Sequence, residues 1–362
     1  MRREFLMPHK IPVTVITGFL GAGKTTLIRN LIESANGKRL ALIINEFGDV
    51  GVDGEVLKSC GDENCTEEDI VELANGCICC TVAEDFIPTM EKLLSRDERP
   101  DHIIIETSGL ALPQPLVRAF NWPEIKTEVT VDGVITLVDA PAVSEGRFAS
   151  NEAQVQSQRE LDDALDHETP LGELFEDQVN CADLIVLSKT DLIDDQAVTA
   201  VKNVVSKEVR DGVQMVQAQK GKLPLNVLLG LDMKAEDDNR MSHHERHHAA
   251  HHHDDDHHDH DHHHHHTHDH DDFESFSIGF ETIDDVESFK SKLIETIKTH
   301  DILRLKGFVS VKDKDMRLQI QAVGPRLDAY YDKPWNLDET RNSNLVVIGQ
   351  AGMDRDAIQQ GL

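Results

Sequence analysis

Short apolar runs alternate with amphipathic stretches through residues 11–230. The runs lie at 11–17, 40–45, 102–107, 133–139 and 182–188, and Gly, Asp or Asn residues bound them. A helical stretch, 25–34, follows the first run. Short apolar runs separated by helices are typical of a mostly parallel sheet that is buried on both faces. The pattern therefore predicts an α/β domain over residues 1–235.

The composition changes abruptly at about residue 236. Residues 243–270 hold 17 of the 21 histidines, interleaved with aspartates, and almost no apolar residue. Such a segment cannot bury a core, so the composition predicts a disordered linker over 236–272. Apolar residues alternate again at 273–280, as in a half-buried strand, and strands are also predicted at 302–311, 316–323 and 344–349. A helix is predicted between them, because one helical face carries Val286, Phe289, Leu293, Ile294 and Ile297. Residues 273–362 are therefore predicted to form a small α+β C-terminal domain.

The formal charge of -31 makes negatively charged binding partners unfavourable. An acidic surface repels phosphate backbones and anionic lipid, so neither nucleic acid nor a membrane is expected to bind. The N-terminus lacks an apolar run that ends in a small-residue cleavage site, and no segment offers the ~18 apolar residues that span a bilayer. We therefore expect a cytoplasmic protein with reduced cysteines, which act as ligands or core residues.

The residues between the first strand and its helix match the P-loop pattern G-x-x-x-x-G-K-[ST]. In such a loop, backbone N–H groups surround the β-phosphate, the lysine reaches the β/γ oxygens, and the hydroxyl binds Mg²⁺. Lys24 is accordingly predicted to be catalytic, and Thr25 to be a Mg²⁺ ligand. The predicted phosphate-binding residues are Gly18, Gly21, Ala22, Gly23, Lys24, Thr25 and Thr26.

Two further motifs predict that the nucleotide is GTP. Glu106 ends an apolar strand where most P-loop proteins have Asp, and it is predicted to hold the water shell of Mg²⁺. Gly109 follows as a sensor of the γ-phosphate in a switch loop. Ser188, Lys189 and Asp191 form a variant of the guanine motif N-K-x-D, in which the carboxylate accepts hydrogen bonds from guanine. Leu110 stands where Ras-like enzymes place a glutamine that orients water, so slow intrinsic hydrolysis is expected.

Three cysteines in four residues predict a metal site. Cys77, Cys79 and Cys80 precede a helix-capping signature, T-x-x-E at 81–84, and a helix N-terminus favours thiolates. Thiolates suit Zn²⁺ or Co²⁺, and three ligands leave one position open for a transferable ion. Glu46 is a candidate fourth ligand or a group beside Mg²⁺. Buried core cysteines and redox chemistry remain alternatives.

At GFLGAGKTT, NEFG, ELANGCICC, ETSGLALP and SKTD the chain resembles the CobW family of P-loop GTPases. The resemblance covers the N-terminal domain and also ILRLKGFV in the C-terminal domain. It implies a metal-delivering GTPase in which the G-C-x-C-C cysteines bind the metal and the nucleotide state controls its release. A metal-receiving client protein and a nucleotide-dependent homodimer are further expectations.

Within the family, the insertion at 157–178 and the His-rich tract resemble the member tied to aerobic cobalamin synthesis. That resemblance implies delivery of Co²⁺ to a cobaltochelatase, with zinc delivery as the nearest alternative. A non-catalytic metal buffer, with the His-rich tract as its functional part, is a second class of function, and a small-molecule P-loop kinase is a third. The set Lys24, Thr25, Glu106 and Asp191 favours a GTPase over both.

Overall fold

The computed structural model describes residues 10–35, 37–45, 70–73, 86–96, 98–161, 171–230, 273–335 and 341–362. In its N-terminal part these residues form one sheet, in the spatial order β3-β2-β4-β1-β5-β6-β7, and every described pair of neighbouring strands is parallel. The strands of this sheet are β1 (Ile11–Thr17), β2 (Leu40–Asn45), β3 (Ile70–Leu73), β4 (His102–Glu106), β5 (Val129–Asp139), β6 (Leu184–Ser188) and β7 (Gln214–Ala218).

Helices cover both faces of this sheet, because neighbouring residues along each strand point into different cores. On β4, Ile103 and Ile105 pack in one apolar cluster, whereas Ile104 packs in another. The described helices of this part are α1 (Lys24–Glu33), α2 (Ile87–Leu94), α3 (Gln114–Ala119), α4 (Ala140–Ser144), α5 (Glu152–Leu161), α6 (Leu171–Cys181), α7 (Asp195–Val205) and α8 (Leu225–Leu229). The predicted α/β class with a mostly parallel sheet is thus confirmed.

The C-terminal part is an antiparallel sheet with helices on one side. Its strands are β8 (Phe273–Phe280), β9 (Arg304–Val309), β10 (Met316–Val323), β11 (Arg326–Pro334) and β12 (Ser343–Gln350), in the spatial order β11-β10-β9-β12-β8. Helices α9 (Val286–Thr299) and α10 (Arg355–Gly361) pack on one face through Phe289, Leu293, Ile297 and Ile358. The predicted α+β character of this domain is confirmed, and β11 is an addition to the predicted strands.

The two parts share an apolar core. Side chains of the C-terminal sheet enter the same buried cluster as helix α1 and the sheet of the N-terminal part. The C-terminal members of this joint core are Leu303, Phe308, Val323, Trp335, Val346 and Ile348. This core and the ion pair described next join the two parts directly.

A buried ion pair also joins the N-terminal and C-terminal parts. The Arg304 guanidinium donates to both carboxylate oxygens of Asp132, at 3.0 and 2.7 Å, and both residues are buried. Thr14 Oγ1 donates to Asp132 Oδ2 at 3.2 Å and lies 2.8 Å from His102 Nε2. Burial lowers the pKa of His102 to about 3, so this imidazole is neutral at physiological pH.

Candidate functional site

The loop between β1 and α1 has the backbone that a phosphate-binding loop requires. Gly18, Gly21 and Gly23 have φ angles of 136°, 77° and 96°, which residues with a Cβ rarely adopt. A Cβ on Gly18 would also lie 2.4 Å from the carbonyl oxygen of Leu137 in β5. The glycines therefore let the loop curl tightly against the sheet, directly before α1 begins.

Lys24 reaches back over this loop. Its Nζ donates to the carbonyl oxygen of Gly18 at 2.9 Å and to that of Phe19 at 3.4 Å, and the residue is buried. Helix α1 has neither an acidic residue in its first turn nor a side-chain cap at Gly23. An anion is favoured at such a helix start, so this arrangement suits the predicted binding of phosphate by these residues.

Thr25 and Glu106 carry side-chain oxygens at the same edge of the sheet. Thr25 lies in the first turn of α1, and the buried Glu106 ends β4 opposite Ile16 of β1. A hydroxyl and a carboxylate are hard ligands of the kind that Mg²⁺ prefers. The residues present therefore fit a Mg²⁺ ion beside the phosphate loop. The neighbouring Thr26 is exposed.

The loop after Glu106 packs on the phosphate loop. The Thr107 hydroxyl donates to Thr17 Oγ1 at 2.9 Å. A Cβ on Gly109 would lie 2.6 Å from the backbone nitrogen of Leu20, so only glycine allows this approach. Gln178 of α6 holds the loop from the other side, since its Nε2 donates to the carbonyl oxygens of Gly109 and Ala111 at 3.1 Å each.

The predicted guanine motif lies where β6 ends. Ser188 is buried, and its hydroxyl donates to the carbonyl oxygen of Val138 at 3.1 Å. The exposed Asp191 accepts a hydrogen bond from the backbone N–H of Lys220 at 3.1 Å. Lys189 is partly buried, and its ammonium lies 2.7 Å from Asp139 Oδ2. The structure therefore brings Ser188, Lys189 and Asp191 together at the same edge of the sheet as the phosphate loop.

Three contributors were missed by the sequence analysis. Asp139 closes the apolar run 133–139, and a terminal acid of this kind is the one signal that could have drawn attention to it. The loop at Lys220 follows β7. The glycine at 221, which has a positive φ in the structure, is only a weak sequence signal for a turn there. Gln178 lies inside an ordinary amphipathic helix, and nothing in the sequence points to its role.

The predicted metal ligands Cys77, Cys79, Cys80 and Glu46 lie outside the described residues, as does the predicted helix start at 81–84. The nearest described helix, α2, begins at Ile87. Within the described part of the chain, no cluster of three or more His, Cys, Asp or Glu residues is arranged to hold a metal ion. Cys181 ends α6, and burial raises the pKa of its thiol to about 12.

The segments with the predicted metal ligands leave the sheet beside the nucleotide site. Residue 46 follows the end of β2 and residue 74 follows the end of β3. In the sheet, Asn45 is paired with Leu73, and Ile44 is paired with Glu106. Neighbouring strands lie about 4.8 Å apart. The segment after β2 therefore starts one strand from Glu106, and the segment after β3 starts two strands from it.

Comparisons with known proteins match nearly the whole chain. Residues 12–217 match the family described as CobW/HypB/UreG, nucleotide-binding domain, and residues 273–362 match the Cobalamin synthesis protein cobW C-terminal domain. A protein named Zinc chaperone CobW from Sinorhizobium sp is 57% identical, over 98% of this chain and 96% of its own. Its Pseudomonas aeruginosa namesake is 48% identical, over 98% of this chain and 91% of its own. A Schizosaccharomyces pombe protein, Zinc-regulated GTPase metalloprotein activator 1, is 36% identical, over 61% of this chain and 49% of its own.

Among the helices that the structure describes, none is both long enough and apolar enough to cross a bilayer.

Proposed function

This chain belongs to the CobW family of P-loop GTPases, and on that premise we propose that it binds a transition metal ion and delivers it to a client protein under the control of GTP. One structural observation carries the proposal. Strand β2, which precedes Glu46 in the chain, is the direct neighbour of the strand that ends in Glu106, and β3, which precedes the cysteines, lies one strand further out. A conformational change caused by the γ-phosphate therefore arises close to the chain segments that contain the predicted metal ligands.

The nucleotide chemistry follows from the described residues. Lys24 neutralises negative charge that develops between the β- and γ-phosphates, and the N–H groups at the start of α1 stabilise the same charge. Thr25 and Glu106 would hold Mg²⁺, which when bound neutralises further phosphate charge. Asp191 accepts hydrogen bonds from guanine, for which adenine has no equivalent donors.

Coupling between nucleotide and metal requires an element with two arrangements. Gly109 is the candidate, because it lies against the phosphate loop and is held by Gln178 on its other side. With GTP bound, the loop of Gly109 orders the segment that contains Glu46, so that three thiolates and one carboxylate surround the metal. Hydrolysis releases this arrangement, and the metal passes to the client. By linkage, metal binding must tighten GTP binding by the same factor.

Zinc is our first choice of metal. Both relatives that match over nearly the full chain carry the name Zinc chaperone, and thiolates with one carboxylate suit a four-coordinate Zn²⁺ ion. Co²⁺, with a cobaltochelatase as the client, is the second candidate, supported by the insertion at 157–178 and the His-rich tract. A cytoplasmic location suits either metal, because a reducing compartment keeps Cys77, Cys79 and Cys80 free of disulfides.

Metal titration in three nucleotide states tests the proposal. Zn²⁺ and Co²⁺ affinities are measured on the full chain without nucleotide, with Mg-GDP and with Mg-GTP. We expect tight binding in the GTP state, with thiolate-to-cobalt absorption that disappears in Cys79→Ser and Cys80→Ser. Cys181→Ser is the matched control, because its thiol is partly buried against an apolar cluster and should not affect binding. Equal metal affinity in all three states would refute the coupling.

The oligomeric state is tested in the same samples. We propose a nucleotide-dependent homodimer, which size-exclusion chromatography with light scattering detects as a doubling of mass in Mg-GTP. A constant mass across the nucleotide states would contradict it.

A further inference from the structure

Asp139 is a buried carboxylate at the carboxyl end of β5, and each of its oxygens has a partner. Its Oδ1 accepts from the backbone N–H of Ala142 at 3.2 Å. Its Oδ2 accepts from the Lys189 ammonium at 2.7 Å and from the hydroxyl of Ser150. The ammonium also donates to Ser150 Oγ at 3.0 Å. Asp139, Lys189 and Ser150 thus form a closed hydrogen-bonded triangle.

The triangle holds a residue whose backbone is unfavourable. Lys189 has φ 57° and ψ 29°, the left-handed region that a residue with a Cβ rarely adopts. This reversal starts the short 3₁₀ turn Thr190–Leu192 and directs Asp191 towards the N–H of Lys220. A conformation of this kind persists only when surrounding contacts hold it, and the ion pair with Asp139 is such a contact.

The sheet sets the position of the ion pair. Asp139 is the register partner of Ser188, so the carboxylate lies beside the residue that directly precedes Lys189. Asp139 is 1% exposed, whereas 30% of the Lys189 side chain is exposed, so the rigid partner is the acid. The charge of Lys189 is balanced by Asp139. What Lys189 offers to a bound nucleotide is therefore a fixed backbone and a fixed methylene chain.

We propose that Asp139 is a positioning residue for guanine recognition, acting through Lys189, with Ser150 as the bridging hydroxyl. This inference rests on the proposed assignment of Ser188, Lys189 and Asp191 to the guanine base. Asp139 touches neither phosphate nor base in this scheme. It sets the left-handed turn that presents Asp191, and so it affects which base is bound rather than how fast the γ-phosphate is hydrolysed.

The test is Asp139→Asn in the full chain, with Kd values for GTP, GDP and ATP from competition against a fluorescent guanine nucleotide. We expect GTP and GDP affinity to fall about tenfold, because a charge-assisted contact is lost. ATP affinity should change less than about twofold, and kcat at saturating GTP should stay within about twofold, since the lost interaction is the same in the ground and transition states. Glu145→Gln is the matched acid-to-amide control, because Glu145 lies in the same segment on the surface and pairs with Arg147.

A double-variant cycle separates positioning from a general structural role. If Asp139 acts through Lys189, Asp139→Asn should weaken GTP binding far less in a Lys189→Met background than alone. The inference would be overturned if the two single variants' fold-losses in GTP affinity multiply in the double variant. An unchanged preference for GTP over ATP in Asp139→Asn would also overturn it. If Asp139→Asn does not fold by circular dichroism, Ser150→Ala decides, because Ser150 is exposed and its loss keeps the ion pair. It should weaken GTP binding about threefold, and no change would overturn the inference.

Measurements on the wild type and on Asp191→Asn show whether the guanine assignment itself is wrong. Equal affinity of the wild type for GTP and ATP would show that the guanine assignment, and with it the proposed function, is wrong. A wild type that prefers GTP, together with an Asp191→Asn variant that does not, retains the guanine site. The Asp139 variants then test the positioning role alone.

Discussion

The packing of Gly109 on the phosphate loop gives a sharp prediction for Gly109→Ala. The added Cβ would lie 2.6 Å from the backbone nitrogen of Leu20 and 3.1 Å from its Cα, whereas an ordinary contact begins at 3.4 Å. The loop must therefore retreat by about 0.8 Å, the difference between 2.6 and 3.4 Å. A displacement of about 1 Å can lower a rate on the order of 10²-fold, which corresponds to about 2.7 kcal/mol.

Single-turnover GTP hydrolysis measures this effect. We expect the rate to fall about 100-fold while GDP affinity stays within about threefold, because GDP lacks the γ-phosphate that Gly109 senses. Gly279→Ala is the matched control, because its nearest atom is 3.8 Å away and it lies in β8 of the C-terminal sheet. Thermal unfolding should be nearly unchanged for Gly279→Ala, whereas Gly109→Ala should unfold at a somewhat lower temperature, because its Cβ meets backbone that has to shift. A Gly109→Ala rate within about threefold of the wild type would refute the view that this close approach forms the switch.

Three further outcomes are expected. Lys24→Ala should lower GTP hydrolysis on the order of 10²- to 10³-fold, measured by phosphate release, while circular dichroism stays unchanged, because its ammonium acts on phosphate charge rather than on packing. Between about pH 6 and pH 4, wild-type unfolding free energy should fall by roughly 1 kcal/mol per pH unit more than that of His102→Asn, measured by urea unfolding. Burial lowers the pKa of His102 from 6.5 to about 3. In this pH range the imidazole is therefore protonated in the unfolded chain but neutral in the folded chain, so stability is lost as the pH falls. Deleting 243–270 should lower the number of bound metal ions in a calorimetric titration but keep one tight site, since a tract whose composition predicts disorder must lose conformational freedom when it binds an ion. Loss of the tight site would move the metal centre from the cysteines to the histidines.

Much of the fold could be predicted because its signals are local. The strands 11–17, 40–45 and 273–280 match the structure residue for residue, since each is a short apolar or alternating run with a clear end. The prediction for β5 began at residue 133, whereas the strand begins at Val129. Its first half carries Asp132, which interrupts the apolar run because it pairs with Arg304 from the other part of the chain.

In the candidate site too, the contiguous residues could be predicted and the residues with distant partners could not. The phosphate loop could be predicted because its glycines, lysine and threonine are contiguous, and the backbone angles of Gly18, Gly21 and Gly23 follow from the pattern. Asp139 and Gln178 could not be assigned, because their partners lie 50 and 69 residues away. A hydrogen bond between distant segments leaves no periodic trace in a single sequence.

The joint core has a consequence for how the chain can change. Since Phe308, Trp335 and Val346 are buried in the same cluster as α1, packing between described residues fastens the C-terminal part to the N-terminal one. The segment 231–272 connects the two parts along the chain. A protease cut within it should leave two fragments that migrate as one particle. Over evolutionary time, the histidine tract can lengthen, shorten or change its ligands while the GTPase beside it keeps its shape.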